Sequence, residues 1–110
     1  IRCRAGSSTF WVTWDGRLRP CGMMTEPSES LDGQSFQSVW TKLRAAREKI
    51  MVPSMCSSCS MHNACDQCSA VCYAETGAFT GVPRYMCART RAYLKQAQAW
   101  LAAHPAEKET

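Results

Sequence analysis

Cysteine constrains this 110-residue chain more than any other residue, since the chain has eight of them and five are crowded between positions 56 and 72. That segment shows no apolar periodicity and has little to bury. Leu, Ile, Val and Phe are scarce throughout, and a small domain with a thin core depends on cross-links such as disulfides or metal. We therefore expect the thiols to order this part of the fold. The cysteines are Cys3, Cys21, Cys56, Cys59, Cys65, Cys68, Cys72 and Cys87.

The spacing inside the crowded block is C-x2-C-x5-C-x2-C-x3-C. Disulfides suit a small secreted chain with an even cysteine count, but pairs at x2 spacing close short loops that stabilise little. Structural zinc suits C-x2-C pairs and two four-cysteine sites. Zinc ribbons, however, separate their pairs by about a dozen residues or more, and the interval between Cys59 and Cys65 is far shorter.

Iron–sulfur clusters also take four thiolates each, and their ligands can come from distant parts of the chain. The run Cys65-x2-Cys68-x3-Cys72 resembles part of a ferredoxin pattern, with Tyr73 where that pattern has proline. The spacing favours iron–sulfur binding but leaves the disulfide and zinc interpretations open.

A β-hairpin is predicted near the start of the chain. Residues 9–14 alternate aromatic or β-branched residues with threonine, and a return run spans residues 17–21. Asp15-Gly16 lies between the two runs, and an Asp-Gly pair in that position is a strong signal for a tight turn. A two-residue turn would place Cys21 opposite Phe10.

A helix is predicted from about Ser35 to Ile50, with Ser35 available as its N-cap. Its apolar residues form one stripe at helical spacing, which we expect to pack on the hairpin rather than to form a partner groove. Pro53 ends the helix, and residues 23–33, rich in Ser, Glu, Pro and Gly, are expected to form a loop. The stripe is Phe36, Val39, Trp40, Leu43 and Ile50.

A second long helix is predicted from near Pro83, a favourable first-turn residue, to about Ala103. Residues 105–110 are expected to be a flexible tail. The chain is thus predicted to be one small α+β domain, residues 1–104, with one β-hairpin, irregular loops that carry the cysteines and two main α-helices. The inner stripe of the second helix is expected to be Met86, Tyr93, Ala97, Trp100 and Leu101.

The formal net charge of +4 counts the cysteines as neutral, and two four-iron clusters would add about −2 apiece. We therefore predict no nucleic-acid partner. No leader pattern opens the chain, and no apolar run approaches the roughly 20 residues needed to cross a bilayer, so we expect a cytoplasmic protein without membrane contact. Because the chain starts at Ile1 rather than Met and reaches Cys3 at once, we expect a C-terminal fragment of a larger protein.

The other candidate side chains are expected to have ordinary roles. His62 follows Cys59 closely, but thiolates are plentiful there, and we expect a solvated imidazole. Trp11 and Trp14 are expected to pack on the hairpin rather than to shield a cluster or stack a substrate. The basic residues of the last helix are expected to form a solvated face rather than to bind an acidic peptide. They are Arg84, Arg89, Arg91 and Lys95.

The cysteines also form a longer pattern that is more specific than any single C-x2-C pair. It runs Cys3-x12-Gly16-x4-Cys21, then Cys56-x2-Cys59-x5-Cys65, and ends at Cys87. It resembles the SPASM domain, the C-terminal extension of many radical S-adenosylmethionine enzymes that modify ribosomal peptides and proteins. That family has C-x(9–15)-G-x4-C, then C-x2-C-x5-C-x3-C and a last cysteine. The resemblance includes Cys3-Arg4-Ala5-Gly6, Glu75-Thr76-Gly77 and Pro83, and it spans Cys3 to about Trp100.

This resemblance implies two auxiliary iron–sulfur clusters, of the four-iron (4Fe–4S) type. The outer cluster would be held by Cys56, Cys59, Cys65 and Cys87. The inner cluster would be held by Cys3, Cys21 and Cys68. It would lie nearer the catalytic barrel of the larger parent enzyme. In the family pattern the next cysteine would stand at position 69, where this chain has Ser69. The resemblance therefore does not identify the fourth ligand of the inner cluster. Cys72 is slightly favoured over a cysteine upstream of Ile1 or an unfilled position.

The resemblance also implies a function. The chain lacks the CxxxCxxC triplet of radical S-adenosylmethionine chemistry, so it is expected to carry no catalytic residue, and S-adenosylmethionine would bind only in the missing N-terminal part. Electron relay and substrate positioning are then its expected roles, with a peptide or protein substrate and the radical barrel of the parent enzyme as partners. The alternative is a structural zinc module for protein interaction that uses the same cysteines.

Overall fold

The computed structural model describes residues 1–105 and has the predicted α+β architecture. Its strands are β1 (Trp11–Val12), β2 (Arg17–Arg19) and β3 (Glu29–Ser30), and its helices are α1 (Phe36–Glu48), α2 (Ser54–Ser57), α3 (Ser69–Thr76) and α4 (Arg84–Ala103). The strands form one antiparallel sheet in the order β1–β2–β3. The two long helices, α1 and α4, are the predicted ones. The predicted flexible tail lies outside the described residues apart from Pro105.

β1 and β2 form the predicted hairpin, but the loop between them is one residue longer than expected. The register pairs Trp11 with Arg19 and Val12 with Leu18. The Thr13 amide donates to the Arg17 carbonyl at 2.8 Å, and the Thr13 hydroxyl accepts from the Arg17 amide at 2.9 Å. Gly16 has a φ of 81°, the left-handed conformation that a three-residue hairpin loop requires. The predicted placement of Cys21 opposite Phe10 is therefore wrong by one residue.

The two tryptophans of the hairpin differ in their packing. Trp14, in the loop, is 97% exposed, so the expectation that it packs on the hairpin is wrong. Trp11 is about half exposed and its ring covers Gly22, where a Cβ would come within 3.1 Å of the indole. Of the two tryptophans, only Trp11 therefore packs against another part of the chain.

A third strand, β3, lies where the sequence predicted a loop, within residues 23–33. Ser30 lies opposite Arg17 in the sheet. The Arg17 guanidinium also fastens the approach to β3, because its Nε donates to the Ser28 hydroxyl at 2.7 Å and its Nη2 to the Ser28 carbonyl at 2.9 Å. The strand is short and polar, so it lacks the apolar alternation that would have indicated it.

α1 packs on the sheet as predicted. The Ser35 hydroxyl caps the helix by accepting from the Ser38 amide at 3.2 Å. Leu18 of β2 meets Val39 and Leu43 of α1, and all three side chains are fully buried. These residues form a first hydrophobic cluster that contains no cysteine.

A second hydrophobic cluster joins the end of the hairpin to the cysteine-bearing segment. It consists of Met24, Ile50 and Ala70, with Ile1, Cys21, Cys68 and Phe79 packed around it. Met24 follows β2, Ile50 follows α1 and Ala70 lies at the start of α3. The cluster thus brings two cysteines from distant parts of the chain into one region.

α4 leaves most of its predicted inner stripe exposed. Met86 and Thr90 are buried, but Tyr93, Trp100 and Leu101 are each more than half exposed. The helix has 20 residues, which gives it a length of about 30 Å. Its second half extends beyond the rest of the described fold, so its apolar side chains there are exposed. The predicted stripe is therefore wrong for Tyr93, Trp100 and Leu101, whereas Ala97 is partly buried. Within residues 1–105, no helix combines the length and apolarity that a membrane span requires.

Candidate metal centre

Tight turns bring the first three cysteines of the crowded block together. Cys56 lies in α2, and its carbonyl accepts from the Cys59 amide at 3.2 Å. The Met61 amide donates to the Cys59 Sγ at 3.4 Å, and the Met61 carbonyl accepts from the Cys65 amide at 3.0 Å. An N–H donor on sulfur favours the thiolate, the form that binds metal.

Cys87 reaches the same place through a chain reversal between α3 and α4. Gly77 ends α3 with a φ of 81°, a conformation that glycine adopts without strain. Gly81 lies so close to Thr76 that a Cβ at position 81 would overlap the Thr76 side chain. The Thr76 hydroxyl donates to the Cys72 carbonyl at 2.6 Å. This close turn positions α4 so that Cys87, in its first turn, faces the earlier cysteines.

The outer thiols, Cys56, Cys59, Cys65 and Cys87, line one cavity. This outer cavity has a volume of about 30 Å³, and its walls are almost entirely apolar. Its other lining residues are Arg2, Met61, His62 and Gln67. The four thiols are those that the resemblance assigns to the outer cluster, and the structure brings them together from two separate segments of the chain.

The outer thiols influence one another electrostatically. Burial raises the pKa of the Cys56 thiol, and neighbouring thiolates raise it further. In decreasing order, these are Cys72, Cys87, Cys65 and Cys59. Like charges this close do not all form unless a positive charge joins them, and metal ions supply that charge.

Basic side chains border the outer cavity. Arg2 lines the cavity itself, and Arg84 and Arg91 line an adjoining pocket that shares Cys87 with it. None of the three forms an ion pair with an acidic residue in the described part of the chain. Cationic surroundings suit a four-iron cluster on four thiolates, whose net charge is about −2.

The donor set fits an iron–sulfur cluster. A four-iron cluster takes four thiolates, and the outer cavity offers four thiols around one largely apolar space. Across residues 1–105, no three His, Cys, Asp or Glu side chains lie close enough to hold a single metal ion.

The inner thiols, Cys3, Cys21 and Cys68, lie in a second and more open region. Cys21 and Cys68 pack against the second hydrophobic cluster, and Cys3 and Cys68 line an open pocket. Arg47 holds the segment around Cys3, because its guanidinium donates to the Cys3 carbonyl at 2.8 Å and to the Ala5 carbonyl at 3.1 Å. Two of the predicted inner ligands, Cys3 and Cys21, therefore each share a region with the third, Cys68.

Cys72, the favoured fourth inner ligand, lies in α3 and is completely buried. Its Sγ accepts from the Gln67 Nε2 at 3.3 Å. It is not part of the second hydrophobic cluster, against which Cys21 packs, and its charge acts on Cys56. The structure thus places Cys72 beside Gln67, and its assignment to the inner cluster stays a prediction.

Sequence reasoning missed three polar side chains that position the cysteines: Arg2, Arg47 and Gln67. Arg2 joins the N-terminal segment to the cysteine turns by donating to the Cys65 carbonyl at 3.0 Å and to the His62 carbonyl at 2.9 Å. The arginine contacts join residues more than 40 positions apart, and Gln67 lies between two regions that only the fold brings together. No local pattern singles out such residues.

His62 is partly buried rather than solvated, so that expectation is wrong. Its Nδ1 lies 3.0 Å from the Cys56 carbonyl oxygen. The imidazole thus supports the backbone of a thiol-bearing turn while it lines the outer cavity.

Comparison of the chain with family models, with curated proteins and with solved structures gives no match. The SPASM resemblance therefore stays a prediction, and the arguments for a function come from this chain's own residues.

Proposed function

We propose that this chain is an auxiliary iron–sulfur domain of a radical S-adenosylmethionine enzyme that modifies a peptide or protein. The outer and inner thiols hold one four-iron cluster each, and the domain relays electrons and positions the substrate beside the radical barrel of the parent enzyme. The observation that carries this proposal is the outer cavity, where Cys87 meets three thiols of another segment. A cytoplasmic location goes with it, since thiols stay reduced there.

The chain's own residues suit the environment that such a group needs. A bound cluster supplies one-electron transfer, and its potential depends on solvent exclusion and on hydrogen bonds to its sulfurs. The walls of the outer cavity are almost entirely apolar, which limits solvation of a bound cluster, and the Met61 amide donates to the Cys59 sulfur. Cys87 lies in the first turn of α4, where the positive end of the helix dipole favours nearby negative charge.

Structural zinc is the second candidate, and one local feature favours it. The Cys56-x2-Cys59 pair, followed by an N–H···S contact from Met61, is an arrangement that also suits a zinc site. A zinc-bound domain would serve protein interaction rather than electron relay. The two candidates differ in iron, in acid-labile sulfide and in redox activity.

Metal content of ligand variants tests the proposal. We expect Cys87→Ser, in the outer group, and Cys21→Ser, in the inner group, each to lower iron and sulfide by about four per chain after anaerobic purification. Each variant should keep the paramagnetic resonance signal of the other reduced cluster. Ser60→Ala, an exposed neighbour in the cysteine turns, should match the wild type. Bound zinc without sulfide, lost in the same variants, would establish the second candidate instead.

A further inference from the structure

Gln67 lies between the two groups of thiols. It lines the outer cavity together with Cys56 and Cys87, and it lines the open pocket together with Cys3 and Cys68. Its position therefore allows one amide to act on both sides of the cysteine framework.

The hydrogen bonds of this amide are incomplete. Nε2 donates to the Cys72 Sγ at 3.3 Å, while Oε1 is buried and has no partner in the described part of the chain. A buried polar atom without a partner costs about 1–3 kcal/mol. The two ends of a glutamine amide exchange places by a half-turn of its last torsion. After this half-turn, Oε1 accepts a hydrogen bond from the Cys72 S–H. The NH₂ group then lies where Oε1 had no partner, and it needs a hydrogen-bond acceptor there.

We propose that the Gln67 amide donates a hydrogen bond to a sulfur of the cluster in the outer cavity, and that it holds Cys72 beside that cluster as a thiol that is not a ligand. The inference rests on the proposed function, because the acceptor is a cluster sulfur. Gln67 is then a positioning residue, and its expected effect is on the reduction potential. A hydrogen bond to cluster sulfur stabilises the more negative, reduced state and so raises that potential.

An anaerobic redox titration followed by paramagnetic resonance tests this. The wild type is expected to show two midpoint potentials. In Gln67→Leu, which cannot donate, one midpoint should shift to a more negative value while the other is unchanged. Gln67→Glu, which keeps the shape but adds negative charge, should shift the same midpoint further. Gln98→Leu, at an exposed position of α4, should match the wild type. Cys72→Ala should retain the wild-type iron content.

The results that would contradict the inference about Gln67 differ from those that would contradict the proposed function. Wild-type protein without iron or sulfide would overturn both proposals. Wild-type iron with both midpoints unmoved in Gln67→Leu would overturn the inference about Gln67 alone. If Gln67→Leu does not fold, wild-type iron with both midpoints unmoved in the isosteric Gln67→Glu variant would overturn the inference. Loss of about four irons in Cys72→Ala would show that Cys72 is a ligand.

Discussion

Arginine side chains join the N-terminal segment to the cysteine framework. Arg2 donates to the carbonyls of Cys65 and His62, and Arg47 donates to the carbonyl of Cys3. A guanidinium carries several donors in a fixed planar arrangement, so it can hold two carbonyl groups at once. These bonds fix where Cys3 lies relative to the cysteine turns, although neither arginine belongs to the cysteine pattern.

Removal of Arg2 should loosen the outer cluster. Arg2→Ala deletes two hydrogen bonds to the turns that carry Cys65, at a cost of about 1 kcal/mol because the site is exposed. We expect iron release to a chelator to be about fivefold faster, as followed by absorbance. Arg4→Ala, an exposed neighbour with no side-chain hydrogen bond in the described range, is the control. Equal release rates in the two variants would show that Arg2 does not support the site.

Removal of Arg47 should act on the segment that carries Cys3. Arg47→Ala deletes bonds to two carbonyls, those of Cys3 and Ala5, and we expect a loss of about 2 kcal/mol in the free energy of unfolding. Denaturant titration measures it, and Lys49→Ala, exposed at the end of α1, should change stability by less than about 0.5 kcal/mol. A loss no larger than that of the control would contradict the proposed anchoring.

The elements differ in how far local sequence determines them. α1 could be predicted because its cap and its apolar stripe, with Val39 and Leu43, are both local features. The hairpin loop could not be predicted in length, because the Thr13 side chain completes it through Arg17. β3 could not be predicted, because it is short and polar and shows no alternation of apolar residues. The stripe of α4 was predicted from periodicity, but periodicity does not say whether anything covers the helix.

Two leucines of different helices provide a direct comparison of burial. Leu43 of α1 is fully buried, whereas Leu101 of α4 is 55% exposed. We expect Leu43→Ala to lower the free energy of unfolding by about 2–5 kcal/mol, and Leu101→Ala to lower it by less than about 1 kcal/mol. Chemical unfolding of the two variants measures the difference. Equal costs would mean that the second half of α4 is packed in solution.

In the whole molecule, two regions depend on different interactions. The first hydrophobic cluster holds the sheet and α1 together without any cysteine, whereas the second includes Cys21 and Cys68 at its edge. The cysteine spacing alone left the disulfide, zinc and iron–sulfur interpretations open, and only the SPASM resemblance implied which four thiols form the outer group. Neither the spacing nor the resemblance determines what surrounds Cys72, because the direction of a side chain in α3 depends on how that helix packs.

Removal of metal should therefore affect one region more than the other. We expect chelation under reducing conditions to increase amide hydrogen exchange in residues 56–87, which have few apolar residues to bury, and to leave exchange in α1 nearly unchanged. Exchange measured by mass spectrometry resolves the two regions. Equal loss of protection in both would show that the sheet and α1 also depend on bound metal.

The central claim, that the thiols hold two iron–sulfur clusters, is tested most directly by counting metals and sulfide in the wild-type chain. Iron, acid-labile sulfide and zinc are measured per chain on protein purified without oxygen, together with the absorbance spectrum. We predict about eight irons and eight sulfides, with the broad visible absorbance of four-iron clusters. Two zinc ions per chain and no sulfide would contradict the claim.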